Sequence, residues 1–139
     1  MILIGDALEQ LKTLPDQSVH CCVTSPPYWG LRDYGVEGQI GLEKTPGEYV
    51  EKMVAVFREV RRVLRDDGVM FLNMGDAYTT RMFSHDSLRT VPVVNGEWCK
   101  EGQRGVFNKI SPPTSFDGLK PKDLIGMPWR VAFALQADG

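Results

Sequence analysis

The residues with the clearest chemical potential are at positions 24–29, where an apolar run ends in Thr24-Ser25-Pro26-Pro27-Tyr28-Trp29. Two consecutive prolines restrict the backbone and remove two amide donors, so their carbonyl oxygens point in set directions. Ser25 adds a hydroxyl acceptor, and Tyr28 and Trp29 add flat aromatic surfaces. Fixed acceptors beside a stacking ring suit recognition of an amino group on a planar heterocycle.

The segment that precedes this motif predicts where the motif lies in a fold. Residues 19–24 are apolar enough to form a strand buried on both faces, which is typical of parallel sheets. The strand must stop at Pro26, because proline cannot donate to a sheet ladder. In open α/β sheets, ligands bind beyond the carboxyl ends of the strands. The sequence therefore predicts a ligand-binding edge at residues 24–29.

A long helix and a second strand are predicted after this edge. Thr45 suits the helix cap, Pro46 its first turn, and Glu48 completes a capping box. The helix is expected to end at Gly68, and residues 69–74 then form another buried strand, which gives a right-handed βαβ unit. The apolar face of the helix is expected to contain Val50, Met53, Val54, Phe57, Val60 and Leu64.

The other segments have weaker patterns. Residues 2–4 predict a short strand, followed by a short helix that ends at Pro15. Residues 29–44 are a Gly-rich loop, and residues 75–120 predict a long irregular loop. Residues 121–137 predict a final helix. Pro128 is expected to kink or restart this helix. Its apolar positions are Leu124, Val131, Phe133 and Leu135.

Composition excludes several classes of protein. The chain has 139 residues, of which 42% are hydrophobic and 24% charged, with 14 Gly and 9 Pro, as in a soluble globular domain. No apolar run approaches the ~18 residues of a membrane span, and no signal peptide is visible. The formal net charge of -2 does not by itself indicate a polyanion partner.

The cysteines carry little functional information. Cys21 and Cys22 are adjacent in an apolar run, and Cys99 stands alone, without a zinc-binding spacing. We interpret all three as reduced thiols of a cytoplasmic protein. A catalytic Cys99 is the less favoured alternative, and no metal site is expected.

Residues 23–28 resemble the signature of the amino-group DNA methyltransferases, which methylate cytosine N4 or adenine N6 with S-adenosylmethionine. The family motif is Ser, Asp or Asn followed by Pro-Pro and an aromatic residue after an apolar strand. The Ser form preceded by Thr is most similar to the cytosine-N4 branch. The resemblance covers residues 1–80 and, less closely, 119–139. Further segments similar to the family are residues 5–6, 14–19 and 72–78.

This resemblance implies a mechanism without a metal or a covalent intermediate. An exocyclic amino nitrogen is a poor nucleophile, because its lone pair is delocalised into the ring. In the family reading, Ser25 and the Pro26 carbonyl accept the two amino hydrogens and direct the lone pair toward the methyl group. The base must first leave the duplex stack. Tyr28 would stack on it, a contact worth about 1–3 kcal/mol in general.

The resemblance implies three groups of site residues. The catalytic group is Ser25, Pro26, Pro27 and Tyr28. The cofactor group is Asp6, Thr24 and Ser25, and the DNA group is Tyr28, Trp29, Arg32 and Asp76. Asp6 and Asp76 would equally suit capping of a turn and of a helix. Arg32, the basic residues of 81–109 and the four arginines of 58–65 could contact phosphates or simply be solvated.

The implied fold class is α/β, a Rossmann-like methyltransferase fold with an incomplete parallel sheet and flanking helices. The family's Phe-x-Gly-x-Gly cofactor motif is absent from the sequence. Residues 1–139 are therefore interpreted as a partial catalytic domain, inactive alone, with residues 75–120 mobile or facing DNA. Strands 19–24 and 69–74 should pair in parallel, with residues 2–4 loosely held or paired elsewhere. Exposed sheet edges would then favour self-association.

Other functions remain alternatives. An adenine-N6 DNA methyltransferase would carry the same kind of motif, and another α/β nucleotide enzyme is a further alternative. A proline-motif interaction module without catalysis is the alternative of a different class. The preceding strand would hide that motif, whereas the second proline pair, at residues 111–114, follows no strand and is interpreted as loop. The favoured partner is DNA and not a membrane, in the cytoplasm of a bacterial, archaeal or phage-infected cell.

Overall fold

The computed structural model describes residues 2–79, 93–94, 97–98 and 118–139. The described residues form a mixed α/β architecture, with one parallel two-stranded sheet and a separate antiparallel hairpin. Within these ranges no helix is long and apolar enough to cross a bilayer. In chain order the elements are helix α1 (Ala7–Lys12), strand β1 (Val19–Thr24), helix α2 (Pro46–Val63), strand β2 (Leu64–Leu72), strands β3 (Val93–Val94) and β4 (Glu97–Trp98), and helix α3 (Met127–Asp138).

The parallel sheet confirms the predicted pairing of the two apolar strands. The β1–β2 ladder runs from Val19 opposite Leu64 to Thr24 opposite Leu72, with a register shift after Val19. The Asn73 N–H extends it by donating to the Thr24 carbonyl at 3.0 Å. Because Leu64 already pairs with β1, β2 begins five residues earlier than the predicted start at residue 69. The end of β1 is therefore held beside the end of β2.

Helix α2 begins as predicted and ends early. The Thr45 side chain accepts the Glu48 N–H at 3.2 Å, which satisfies a donor that has no partner within the helix. The helix ends at Val63 and not at Gly68, since Leu64 has extended backbone dihedrals and joins the sheet. The buried face includes the predicted Met53, Phe57 and Val60, whereas the predicted Val50, Val54 and Leu64 are only half-buried. It contains Pro46, Tyr49, Met53, Phe57, Val60 and Val63.

Residues 2–4 are not a strand, contrary to the prediction from their apolar pattern. They have no regular secondary structure, and the side chains of Ile2 and Ile4 are 88% and 89% exposed. No described strand lies beside them, which is consistent with the expectation that they are loosely held. Helix α1 follows and ends at Lys12, so it is shorter than the pattern up to Pro15 indicated.

The segment before α3 is extended and not helical as predicted. Tyr78 and Leu124 form an isolated antiparallel bridge. The Ile125 N–H donates to the Ala77 carbonyl at 2.9 Å. Residues 122–125 therefore pair with residues 77–79, and this backbone pairing replaces the helix that the sequence predicted.

Helix α3 starts at Met127, which places Pro128 in its first turn. A proline there loses no helical hydrogen bond, so it neither kinks nor restarts the helix. Val131 is fully buried, as predicted, but Phe133 is 67% exposed. Phe133 is outside the core because α3 packs on α2 through the opposite side of the helix, which carries Met127 and Val131.

The described core lies between α2, α3 and the Gly-rich loop. Its fully enclosed members are Trp29, Tyr49, Met53, Phe57, Val60, Ile125, Met127 and Val131. The sheet is covered on one face only, whereas the sequence predicted strands buried on both faces. On the open face Val23, Val69 and Phe71 are 76%, 51% and 60% exposed, because no described element packs there.

Two arginines of α2 have structural roles. Arg62 donates to the carbonyls of Leu11 and Leu14 at 2.9 and 3.0 Å. Arg58 donates to both carboxylate oxygens of Asp138. These contacts connect α2 to the segment around α1 and to α3. The Arg58 side chain is still 62% exposed, as a solvated basic face requires, whereas Arg62 is 29% exposed and is held by backbone carbonyls.

Part of the predicted long loop of residues 75–120 lies outside the described residues. The hairpin of β3 and β4 interrupts the irregular stretch that the sequence indicated. The predicted mobility or DNA contact of the remaining stretch, the second proline pair at 111–114 and Cys99 lie outside the described residues. Cys21 and Cys22 are free thiols, as interpreted.

Candidate functional site

The site predicted from the sequence lies at the carboxyl end of β1. Residues 25–28, here called the acceptor segment, follow the strand directly and have no regular secondary structure. The Asn73 N–H holds the Thr24 carbonyl, so the acceptor segment begins beside the end of β2. This is the edge at which parallel α/β sheets bind ligands.

Ser25 and Tyr28 are in direct contact at this edge. The Ser25 hydroxyl oxygen lies 3.1 Å from the Tyr28 hydroxyl oxygen, and either can be the donor. The Tyr28 ring also lies against Gly75, where an added Cβ would be 2.8 Å from the ring atoms Cδ2 and Cε2. Only glycine allows so close an approach. The ring is therefore held between the serine and the backbone that follows β2.

The two prolines of the acceptor segment differ in their surroundings. The Pro27 carbonyl accepts the hydroxyl of Tyr49 at 2.9 Å. No hydrogen-bond donor reaches the Pro26 carbonyl from the part of the chain that the structure describes. Each proline lacks an N–H, so the carbonyls are their only backbone hydrogen-bonding groups. The Pro27 carbonyl is therefore occupied by a donor, whereas the Pro26 carbonyl has none among the described residues.

Tyr49 is the residue that α2 contributes to this site. Its side chain is fully buried in the core while its hydroxyl reaches Pro27. Burial raises the pKa of the Tyr49 phenol, and the negative charge of Glu43 raises it further. The hydroxyl therefore remains protonated and acts as a donor to the Pro27 carbonyl.

Trp29 does not have the exposed position that its predicted role at DNA requires. It is 4% exposed, belongs to the core, and donates its indole N–H to the Glu43 carbonyl at 2.9 Å. A ring enclosed among the residues of α2 and α3 presents no face to a base. The structure thus corrects the prediction: Trp29 is a packing residue, and Tyr28 is the aromatic ring at this edge.

The Gly-rich loop supports the acceptor segment from one side. Gly41 has a φ of +108°, and a Cβ there would lie 3.1 Å from the Tyr28 carbonyl oxygen. Glu43, with a side chain 2% exposed, accepts the Gly41 N–H at 2.9 Å. The Lys52 ammonium lies 2.9 Å from its other carboxylate oxygen, a charge contact without good hydrogen-bond geometry. The loop is therefore fixed where it passes the acceptor segment.

Asp6 and Asp76 both act as caps, one of the two roles that the sequence allowed. The Asp6 carboxylate accepts the Glu9 N–H at 3.1 Å at the start of α1. The Asp76 carboxylate accepts the N–H groups of Gly126 and Met127 at 3.1 and 3.0 Å at the start of α3. Among the described contacts, neither carboxylate has a hydrogen bond to the acceptor segment. Their roles at cofactor and DNA remain predictions.

Arg32 lies in the Gly-rich loop with an exposed side chain. Its backbone carbonyl accepts the Gln39 side-chain amide at 3.1 Å, which orders the loop around it. Its guanidinium has no ion-pair partner among the described residues. The structure therefore leaves this charge open to solvent, and its contact with phosphate remains a prediction.

A cavity of about 460 Å³ lies beside β1 and reaches the acceptor segment. Most of its lining is apolar and comes from α1, α2 and β1. Thr24 and Ser25, two of the three residues predicted for a cofactor, contribute to it, but Asp6 does not. Its members nearest the motif are Cys22, Thr24, Ser25, Pro26 and Pro27.

Several residues of this site were not found from the sequence. Tyr49 precedes Met53 and Phe57 at four-residue spacing, so a hydroxyl on an otherwise apolar helix face was the available signal. Gly41 and Gly75 carried no such signal, because the need for glycine arises from Tyr28, which is distant in sequence.

A strand–helix–strand unit with exposed acceptors beyond the carboxyl end of its first strand has the ligand-binding edge of an α/β enzyme. A family model described as DNA methylase matches residues 19–134. The chain belongs to this family, the N6/N4 amino-methyltransferases. The match includes β1, the acceptor segment, α2 and β2.

Individual relatives agree with the family. The chain is 49% identical to the Type II methyltransferase M.XycI of Xanthomonas campestris pv. cyanopsidis, over 97% of this chain and 41% of that protein. It is 49% identical to M.SmaI of Serratia marcescens, over 99% of this chain and 43% of that protein. It is 39% identical to M.SfiI of Streptomyces fimbriatus, over 99% of this chain and 27% of that protein. The chain spans less than half the length of these relatives.

Proposed function

We propose that residues 1–139 form part of the catalytic domain of a site-specific DNA methyltransferase with a Rossmann-like fold. The reaction transfers a methyl group from S-adenosylmethionine to the exocyclic amino group of a flipped base, with cytosine N4 as the target. The observation that carries the proposal is the open Pro26 carbonyl beside the Ser25 hydroxyl at the carboxyl end of β1. The Ser-Pro-Pro-Tyr form of the motif supports cytosine over adenine.

The acceptor segment would recognise the amino group by its two hydrogens. The Ser25 hydroxyl and the Pro26 carbonyl each accept one N–H, which favours a pyramidal nitrogen with its lone pair directed away from the ring plane. The Tyr28 ring stacks on the base and holds it at this distance. The site therefore works by orientation and by preorganised acceptors.

S-adenosylmethionine supplies an electrophilic methyl group when it is bound. The apolar cavity next to Thr24 and Ser25 suits the adenine ring and the thioether carbons of such a cofactor. Asp6 commits one carboxylate oxygen to capping α1, which leaves the other for an amino or hydroxyl group. The described residues include no glycine-rich turn for the methionine portion, so they fit part of the cofactor.

DNA is the proposed partner, and a restriction–modification system is the proposed context. The relatives named above are Type II methyltransferases, which supports a site-specific activity. Arg32 is the described residue best placed to meet a phosphate, because its charge is exposed on a loop adjoining the acceptor segment. The alternative of a proline-motif ligand loses support, since Pro26 and Pro27 are partly buried and Tyr49 occupies the Pro27 carbonyl.

The proposal can be tested in the context of a full-length relative. This chain would replace the matching 140-residue region of M.SmaI, and the chimera would be expressed in cells that lack DNA methylation. Hydrolysis of the cellular DNA and mass spectrometry of the nucleosides should reveal N4-methylcytosine. N6-methyladenine instead would reassign the base.

Two matched controls make this test decisive. Intact M.SmaI shows that the host and the assay report methylation, and a Ser25→Ala chimera shows that any signal requires the acceptor segment. An absence of both methylated nucleosides from a folded chimera, with intact M.SmaI active, would contradict the proposed function.

A further inference from the structure

We propose that Tyr49 and Gly75 are positioning residues of the acceptor segment, an inference that rests on the proposed function. Tyr49 fixes the Pro27 carbonyl and so keeps the Pro26 carbonyl as the open acceptor for an amino group. Gly75 sets the place of the Tyr28 ring and, through it, of the Ser25 hydroxyl. Neither residue need touch the base.

Pro26 and Pro27 cannot be held through backbone N–H groups, because proline has none. In a peptide with two consecutive prolines, only the carbonyl oxygens remain for backbone hydrogen bonds. Tyr49 supplies the donor at 2.9 Å from the Pro27 carbonyl. It does so from a fully buried position on an 18-residue helix, and helices position site residues more precisely than loops do.

The hydrogen bond from Tyr49 to Pro27 also affects the direction of the Pro26 carbonyl. The ring of Pro27 restricts its φ, so fixing the peptide plane after Pro27 also limits the direction of the Pro26 carbonyl before it. Tyr49 is a donor at neutral pH, as any phenol with the ordinary pKa near 10 would be, and burial raises its pKa further. The Pro26 carbonyl therefore has a set direction and no competing donor within the described residues.

Gly75 acts on the other side of the acceptor segment. The Tyr28 ring lies so close to Gly75 that an added Cβ would be 2.8 Å from two ring carbons, which requires the ring to move. The same ring bears the hydroxyl that contacts Ser25 at 3.1 Å. Displacement of the ring would thus change both the stacking surface and the hydrogen bond of the serine.

A purely structural role for Tyr49 makes a different prediction. If the residue only filled the core, phenylalanine would replace it without loss, because the two rings have nearly the same volume. If it positions the carbonyl, Tyr49→Phe should lower the rate of the chemical step while leaving substrate binding intact. Separate measurement of kcat and KM distinguishes these roles.

The experiment uses the chimera with M.SmaI described above and steady-state methylation of a DNA duplex that carries the M.SmaI target site. Tyr49→Phe should lower kcat by roughly tenfold or more, with little change in KM for DNA. Gly75→Ala should weaken insertion of the base, measured as reduced fluorescence of 2-aminopurine at the target position. The matched controls are Tyr34→Phe, at an exposed loop tyrosine, and Gly47→Ala, where an added Cβ has ample space.

A second experiment uses NMR on the isolated 139-residue chain and does not depend on enzymatic activity. In NMR spectra the contact of the Tyr28 ring with Gly75 should be visible in the wild type and lost in Gly75→Ala. The carbonyl carbon resonance of Pro27 should shift in Tyr49→Phe, with the spectrum of Tyr34→Phe unchanged around the acceptor segment.

The outcomes separate the two proposals. If the unsubstituted chimera is inactive but the NMR contacts respond as expected, the proposed function fails and the positioning contacts remain. Unchanged kcat and an unchanged Pro27 resonance in Tyr49→Phe would overturn the inference. A Tyr49→Phe chain that no longer folds would also overturn it, because the effect of Tyr49 would then be on the whole core.

Discussion

The Asp76 carboxylate accepts the N–H of Met127 at 3.0 Å, although the two residues are 51 positions apart in sequence. This contact joins the end of β2 to the first turn of α3. Asp76 follows Gly75, which lies against Tyr28, so the cap of α3 and the support of the acceptor segment are adjacent in the chain.

Substitution of Asp76 by alanine should destabilise the fold by about 0.5–2 kcal/mol, the range found for lost helix caps. The reason is that the N–H groups of Gly126 and Met127 lose their acceptor. Urea denaturation of the isolated chain measures the effect, with Asp33→Ala as the control at a turn-forming aspartate in the loop. Equal midpoints for wild type and Asp76→Ala would show that the cap contributes nothing.

Substitutions within the acceptor segment should separate hydrogen-bond acceptance by Ser25 from base stacking by Tyr28. In the M.SmaI chimera, Ser25→Ala should reduce kcat by roughly 10–1,000-fold, because one fixed acceptor at the reacting nitrogen is lost. Tyr28→Ala should weaken base stacking by about 1–3 kcal/mol, whereas Tyr28→Phe retains the ring and should lose little of that stacking. Kinetic constants for the three variants decide this, and Tyr28→Ala as active as the unsubstituted chimera would contradict a stacking role.

The buried phenol of Tyr49 should make the stability of the chain fall at alkaline pH. Its pKa is raised in the folded state above the ordinary value near 10, so above that pH the unfolded chain loses a proton that the folded chain retains. The contribution is therefore complete below pH 10 and decreases as the pH rises through and beyond it. Denaturation between pH 8 and about pH 11.5 measures it. Tyr49→Phe should show a shallower decrease, and parallel curves for the two proteins would argue against a buried neutral phenol.

The sequence predicted self-association through exposed sheet edges, and the open face of the sheet should promote it further in the isolated chain. Val23 pairs with Phe71 across β1 and β2, and the two side chains are 76% and 60% exposed. Replacing them together by threonine keeps the strand preference and removes the Phe71 ring and one Val23 methyl group from the exposed apolar surface. Sedimentation velocity should show less association than for Val36→Thr, a control at an exposed loop valine. Identical sedimentation of a monomer in all cases would refute the prediction.

Local sequence patterns determined strand β1, the start of helix α2 and the parallel pairing of β1 with β2. The apolar run of residues 19–24 and the proline pair after it predicted both β1 and its abrupt end, because strand preference and the missing proline N–H act within a few residues. Thr45 and Glu48 predicted the start of α2 for the same reason. The parallel pairing of the two strands followed from the helix between them.

Tertiary contacts decided the other elements. Residues 2–4 have the pattern of a strand, but a strand needs a neighbour, and none of the described strands lies beside them. Residues 122–125, which precede α3, pair with residues 77–79, and this pairing overrode their helical pattern. Trp29 and Tyr28 are adjacent aromatic residues, and only the packing of α2 and α3 determined that the first is enclosed and the second lies at the edge.

The sequence by itself determined which residues could accept hydrogen bonds from an amino group, because that property belongs to the side chain of Ser25 and to the proline backbone. It did not determine which carbonyl is open. That depends on the Tyr49 hydroxyl, which reaches Pro27 from a residue 22 positions away. Hydrogen bonds between distant segments depend on the packing of whole elements. Only the tertiary structure therefore decided which carbonyl of the acceptor segment is open.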